Sequence, residues 1–262
     1  MKSGIEFDAA ASRRVEAAYL TADVVRQRVE VLDALDVRPG ERVLDIGSGP
    51  GLLAEALAAI VGAGGSVCGI DTSEPMLEMA RRRCDAQPQA QFERADAAKL
   101  PYPDASFDAA VSTQVYEYVE DMPSALAELF RVLRPGGRVA ILDTDYDSLV
   151  IHTENPERME RVLCAWDEHF VHRGLPRVLT PLLRDAGFAV GRRSAIPILN
   201  PEYHPGAFSY HLTRMMAAYA VGRQGVDQAE ADAWLLELKE LGERGQYFYS
   251  LNRYLFVAQR PG

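Results

Sequence analysis

The chain has 262 residues, 48% of them hydrophobic and 25% charged, enough apolar material for the core of one large domain. Its 28 basic against 38 acidic residues give a formal net charge of -10, which argues against nucleic acid as a partner, because a polyanion binder shows a basic footprint. The most apolar stretch, LLAEALAAIVGAGG, is interrupted by Glu55 and ends in glycines, so no membrane span is expected.

The opening MKSGIEFDAAASRRVEAAYL carries neither a continuous apolar segment nor a cleavage pattern, and a cytoplasmic protein is expected. From about Phe7 to Leu35 the pattern is helical, with Val24, Val25, Val29, Leu32 and Leu35 at helical spacing before Arg38-Pro39-Gly40 breaks it. The rhythm then alternates. Strands are predicted over 42–47, 66–71, 91–96, 107–113 and 138–145, with helices over 52–61, 73–84 and 124–133 and a turn at 134–137. Ser73 is the expected N-cap of the second of these helices, with Pro75 in its first turn. Such alternation predicts a parallel sheet covered on both faces, with ligands at the carboxyl ends of its strands.

After Asp147 the chain turns more helical. Met159, Val162, Leu163, Trp166 and Phe170 share one face, and 182–188 closes another helix leading into a strand over 188–199. Phe208, Leu212, Met215, Met216 and Tyr219 form a third stripe, and Trp234, Leu235, Leu238 and Leu241 a fourth. The last segment, 247–259, is rich in strand formers. The two helices between these strands read as a cap inserted into the sheet domain. Cys68, Cys84 and Cys164 lie far apart, giving neither a disulfide framework nor a metal knuckle, and are expected as buried small hydrophobes. No metal site is expected.

The segment VLDIGSGPG places Gly47, Gly49 and Gly51 between a strand and a helix, where the backbone must turn sharply and a ligand can approach it closely. Its spacing is GxGxG rather than the dinucleotide GxGxxG, and no Lys-Ser/Thr pair follows as in a phosphate loop. Asp45 stands two residues before the first glycine, where a pyrophosphate would meet a carboxylate. S-adenosylmethionine, with its sulfonium and ammonium, suits an acidic wall instead. Asp71, twenty residues after Gly51, can accept hydrogen bonds from ribose hydroxyls, and Asp96 adds an acceptor for an adenine amino group.

In order and spacing, VLDIGSGPG, GIDTSEPMLEMARRR, ERADAAKLPYPDASFDAAVSTQVYEYVED and ELFRVLRPGGRVAIL resemble the successive motifs of class I S-adenosylmethionine-dependent methyltransferases. The style is that of the ubiquinone/menaquinone-biosynthesis group, over about residues 40–146. The resemblance implies an α/β, Rossmann-like, doubly wound seven-stranded sheet with its last strand antiparallel, plus N-terminal helices and a helical cap insertion. It implies one methyltransferase domain over 1–262, with an N-terminal helical segment (1–38), a cofactor-binding core (39–146) and a substrate-side half (147–262) capped at about 200–246. By the same resemblance, Asp45, Gly47 and Gly49 hold the methionine part of S-adenosyl-L-methionine and Asp71 its ribose. Thr72 and Met76 flank the adenine, Asp96 and Ala97 touch its edge, and Gln114 lies under the methionine portion. Tyr19 is expected to close over the cofactor. Tyr118 stands where the family often has histidine, in its "LEHV" stretch, so no histidine base is expected there.

Methyl transfer mainly requires alignment, and a general base only for an acceptor that arrives protonated. Asp145 and Tyr146, just after the fifth strand, are placed nearest the expected transfer point; His169 is a further candidate among His152, His172, His204 and His211. The fourth strand ends in STQVYEY and lacks the loop used by amino-group nucleic-acid methyltransferases. An aromatic and methionine-rich cap favours a small, apolar or aromatic acceptor methylated on O or C. N-methylation of a small amine, a non-catalytic S-adenosylmethionine-binding protein and a nicotinamide oxidoreductase stay open as alternatives. The chain is expected as a monomer or homodimer.

Overall fold

A computed structural model describes residues 9–262; Phe7, where the first helical stretch is expected to begin, lies outside them. That stretch is two helices, α1 (Ala9–Tyr19) and α2 (Ala22–Leu35). The break falls at Leu20-Thr21, where the extended Thr21 backbone starts α2 and its hydroxyl donates back to the Ala18 carbonyl at 2.7 Å. Local side-chain bonding of this kind competes with a continuous helix.

The alternating region follows as β1 (Arg42–Ile46), α3 (Leu52–Val61), β2 (Ser66–Asp71), α4 (Glu74–Arg83), β3 (Ala90–Arg94), β4 (Phe107–Thr113), α5 (Met122–Val132) and β5 (Leu133–Ile151). Then come α6 (Pro156–Asp167), α7 (Pro176–Asp185), β6 (Ala189–Asn200), α8 (Phe208–Ala220), α9 (Gln228–Glu243) and β7 (Tyr249–Gln259). One seven-stranded sheet has the order β3-β2-β1-β4-β5-β7-β6. Strands β1 to β5 pair in parallel, and β7 runs antiparallel between β5 and β6.

Two local expectations need correcting. Ser73 occupies the N-cap position just before α4 but makes no side-chain cap, and its hydroxyl is buried without a partner. The Asp71 carboxylate takes the Ser73 N–H instead. Strand β5 also runs through the expected RPGG turn, because Leu133 pairs with Phe107 before the register shifts and Arg138 resumes the ladder against Ala109. Of the cysteines, Cys84 is buried, Cys68 half-buried and Cys164 exposed on α6.

Three apolar clusters hold the layers. One face of the sheet packs on α2 and α3 through Val31, Leu35, Leu57 and Val43. The other packs on α5 and α7 through Leu126, Leu129, Leu179 and Leu183. The third joins α1, α2, α6, α8 and α9 around Trp166, Phe208, Met216 and Trp234. The stripe on α8 is therefore largely spent inside this cluster: Phe208, Leu212 and Met216 are buried in it, with Met215 and Tyr219 packed against it. Because β1 leads outward to β2 and β3 before β4 returns beside it, the β1/β4 boundary is the switch point of the sheet, where a crevice opens at the carboxyl ends.

Candidate cofactor and acceptor site

At that switch point β1 ends at Ile46 and the chain turns into α3 through Gly47, Gly49 and Gly51, with φ of 69°, 52° and 80°. These left-handed values favour glycine, but the three residues differ in what surrounds them. A Cβ on Gly47 would stand 2.2 Å from Val115 Cγ2, and one on Gly51 2.8 Å from Ala80 Cα, whereas one on Gly49 would meet nothing within 4 Å. The outer two glycines let the loop close onto its neighbours; the middle one keeps space open. The Ser48 N–H donates to the Ile70 carbonyl at 2.8 Å, and the Gly49 N–H to Asp71 Oδ2 at 2.9 Å. Asp71 Oδ1 accepts from the Ser73 N–H at 2.8 Å, so this carboxylate ties the glycine loop to the start of α4.

Above the loop lies a cavity of about 610 Å³. It brings together all ten residues expected at the cofactor: Tyr19, Asp45, Gly47, Gly49, Asp71, Thr72, Met76, Asp96, Ala97 and Gln114. Its lining carries the carboxylates of Asp45, Asp71, Asp96, Glu120 and Asp121 against the single guanidinium of Arg28. Such a wall attracts a cation and repels a phosphate. Asp45 is fully buried and its Oδ2 has no hydrogen-bond partner. Burial, with the Asp71 charge adding to it, pushes the Asp45 carboxyl up to about 7. Burial also raises Asp71, while the N–H groups of Ser73, Gly49 and Thr72 pull it back. Beyond β3, Asp96 Oδ1 accepts from the Ala98 N–H at 2.8 Å. Gln114 sits at φ 58°, its N–H donating to the Leu142 carbonyl at 2.7 Å.

A cationic group fits these residues: an orphaned, buried carboxylate oxygen belongs to a cavity whose middle glycine leaves room beside it. Arg28 supplies the complementary charge. Its guanidinium donates to the Tyr19 carbonyl at 2.9 Å, holding the end of α1 at the cavity. Burial lowers the Arg28 pKa, with Arg83 adding to that effect and Glu55 opposing it.

Gln27 and Arg28 were not singled out by the sequence reading. The available signal is a polar residue on the apolar face of α2, since Val24, Gln27, Val31 and Leu35 are its buried positions.

Asp145 and Tyr146, expected nearest the transfer point, and the candidate base His169 do not line this cavity. Asp145 Oδ2 accepts from Arg177 Nε at 3.0 Å, and its Oδ1 from the Asp147 N–H at 3.2 Å. Tyr146 is buried, its ring 4.1 Å from that of Phe170. His169 is packed against Trp166 and Phe170, with Nδ1 on the Trp166 carbonyl. Burial, with Arg223 adding to it, lowers the His169 imidazole to about 4, so it is neutral at pH 7. The aromatic residue that does reach the cavity on this side is Tyr118, which stacks on Phe170 at 5.6 Å and 26°.

Residues 44–141 match the model of a family described as a methyltransferase domain. An uncharacterised 37.1 kDa protein in transposon TN4556 of Streptomyces fradiae is 37% identical over 251 residues, which cover 93% of this chain and 71% of that protein. The 2-phytyl-1,4-naphtoquinone methyltransferase of Synechococcus elongatus is 45% identical over 109 residues, which cover 40% of this chain and 47% of the relative. The chain thus spans less than half the length of this quinone methyltransferase. In fold it is similar to the Haemonchus contortus phosphoethanolamine N-methyltransferase 2 in complex with S-adenosyl-L-methionine, at 19% identity and a TM-score of 0.65, over 98% of this chain and 58% of that one. With the matched motifs, the strand order and the acid-lined switch point in agreement, the chain belongs to the class I S-adenosylmethionine-dependent methyltransferases.

Proposed function

We propose that the protein methylates the oxygen or carbon of a small, apolar or aromatic molecule, using S-adenosylmethionine as donor. The observation that carries this reading is the buried Asp45 carboxylate, one oxygen of it unpaired, in a cavity whose charged lining is five acids against one guanidinium. In this reading Asp45 faces the ammonium and Arg28 the carboxylate of the methionine part, while Gly49 keeps the backbone clear beside it. Each Asp71 oxygen accepts one backbone N–H and keeps a further lone pair for a ribose hydroxyl. Thr72, Met76, Asp96 and Ala97 form the nucleoside end, and Gln114 and Tyr19 the end nearest the acceptor. Bound there, S-adenosylmethionine supplies an electrophilic methyl carbon on a sulfonium.

On the acceptor side the cavity is bounded by Tyr19, Val115, Tyr118 and Val119, an apolar wall with phenol hydroxyls at hand. Side chains of this kind orient a flat or apolar acceptor. A quinone-derived acceptor, as in the name of the Synechococcus 2-phytyl-1,4-naphtoquinone methyltransferase, is of this chemical class.

The test is release of S-adenosylhomocysteine from labelled cofactor with panels of phenols, hydroquinones, enolisable ketones and amines. Turnover on the first three groups supports the reading. Turnover on amines alone replaces it with N-methylation, and binding of the cofactor without turnover on any panel reduces the protein to a cofactor binder.

A further inference from the structure

Beside the cavity lies a second polar centre, drawn from five parts of the chain. Glu117 sits in the 3-10 turn Tyr116–Tyr118, whose backbone is fixed because the Glu117 carbonyl accepts the N–H groups of Val171 and His172 at 3.1 and 3.0 Å. Its side chain is fully buried; Oε2 accepts the Thr144 N–H at 3.3 Å, and Oε1 has no partner. The charged and titratable groups facing it are Asp143 from β5, Arg253 from β7, Tyr118 from its own turn, Tyr146 from β5 and Tyr19 from α1. Arg253 is itself buried, donates to Gln27 Oε1 of α2 and lies 4.6 Å from the Phe208 ring centroid.

Buried polar groups are ordinarily hydrogen-bonded, yet here Glu117 Oε1, Asp143 Oδ2 and Arg253 Nε are all buried and unpaired. Two buried carboxyl groups lie in the field of one guanidinium, so the centre is poised to hold or yield a proton. Of these groups Tyr118 and Tyr19 also line the cavity; Tyr118 is the one in the same turn, and its hydroxyl interacts with the Glu117 carboxyl.

The geometry points to a proton relay in which Tyr118 is the catalytic residue touching a hydroxyl-bearing acceptor and Glu117 takes the proton behind it. The acceptor's O–H proton passes to the Tyr118 oxygen while the Tyr118 proton passes to Glu117 Oε1. The O–H bond of the acceptor breaks, its electron pair stays on the acceptor oxygen, and Tyr118 ends with the proton count it began with. Glu117 ends protonated beside Asp143 and Arg253. Burial pushes the Glu117 carboxyl up to about 7, near the value at which a base both exists ionised and accepts a proton readily. The relay rests on the proposed function to the extent that the acceptor carries a hydroxyl.

The experiment uses the full chain saturated with S-adenosylhomocysteine and the chromogenic acceptor analogue 4-nitrophenol, whose ionised form absorbs visible light. In the wild type the bound phenol is expected to ionise at least 10-fold more readily than in Glu117→Gln across pH 6–8. Tyr118→Phe, which removes no buried charge, should show the same loss, and both variants should keep S-adenosylhomocysteine affinity within twofold by calorimetry. Equal ionisation in the wild type and Tyr118→Phe overturns the relay, as does failure of the wild type to take up the phenol. If Glu117→Gln does not fold, the comparison with Tyr118→Phe decides. Failure of the wild type to bind S-adenosylhomocysteine overturns the proposed function itself, and the relay with it.

Discussion

Along the edge formed by β1 to β4, carboxylates are answered by backbone N–H groups close by: Asp71 by Gly49 and Ser73, Asp96 by Ala98. Across β5, β7 and the helices over them, charge is answered by side chains far away in sequence: Arg253 by Gln27, Glu237 by Arg158, and Asp145 by Arg177. The first arrangement leaves lone pairs and one whole carboxylate oxygen turned to a cavity. The second uses charge to fasten the N-terminal helices and the cap to the sheet. Acids in the two regions thus do different work: in one they wait for a ligand, in the other they depend on each other.

Breaking the second arrangement should have the largest effect. Arg253→Ala removes a fully buried charged side chain, its tie from β7 to Gln27 and the positive charge that favours ionised Glu117 and Asp143. Losing one partner of a buried charged group costs on the order of 3–5 kcal/mol, to be read as a fall in the denaturant midpoint at an unchanged slope. A stability loss below about 1 kcal/mol would show that the centre is not fastened through Arg253.

The first arrangement is sharpened through Asp45. Its folded pKa, raised from 3.8 to about 7 by burial and then by Asp71, favours the protonated acid in the folded chain. The associated stability is present in full below about pH 4 and is lost as pH rises through about 7, by on the order of 3–4 kcal/mol. A cationic ligand reverses the preference, so S-adenosylmethionine affinity should rise with pH over 6–8 and binding should release a proton. Calorimetry in buffers of different ionisation enthalpy reads that proton directly. In Asp45→Asn the pH slope of stability should flatten and affinity fall at least ~10-fold. Affinity independent of pH in the wild type would mean that the ligand's cation lies elsewhere.

These two regions were not equally legible. The glycine loop, Asp45, Asp71 and Asp96 stand at or beside strand ends within short sequence windows, so spacing alone puts them on one edge, and the cavity gathers every one of them. Tyr19 was reached through the family resemblance, and it too lines the cavity. The second region is built from pairs far apart in the chain, Gln27 and Arg253 being 226 residues apart, and no local pattern encodes such a meeting. Proximity to the end of the fifth strand singled out Asp145 and Tyr146, yet Arg177 engages the first and Phe170 covers the second. Glu117 went unremarked because it stands between two tyrosines in a short turn with no period to mark its burial.

Within the loop itself, Gly47 and Gly49 separate packing from ligand space. Gly47→Ala meets Val115 at 2.2 Å on top of its positive φ, and should cost about 1–3 kcal/mol of stability. Gly49→Ala meets nothing within 4 Å and should cost only the backbone strain of about 1 kcal/mol, while losing cofactor affinity as its methyl occupies the cavity. Thermal shifts with and without S-adenosylhomocysteine distinguish them: the first variant melts lower in both, the second chiefly loses the ligand-induced rise. Equal ligand shifts for wild type and Gly49→Ala would place the ligand away from the loop.

The smallest effect concerns how the two regions start their helices. In the second region Asn155 caps α6 by accepting the Arg158 N–H at 3.0 Å, and Asn155→Ala should cost about 1 kcal/mol. In the cofactor half Ser73 holds the equivalent place before α4, but its hydroxyl makes no bond and Asp71 accepts its N–H. Ser73→Ala therefore removes a buried, unpaired hydroxyl rather than a cap, and stability should change by less than ~0.5 kcal/mol or rise slightly. A loss as large as that of Asn155→Ala would mean that Ser73 caps α4 after all and that Asp71 is freer than its two N–H contacts make it. That freedom would bear on the cofactor too, because the same carboxylate positions Gly49.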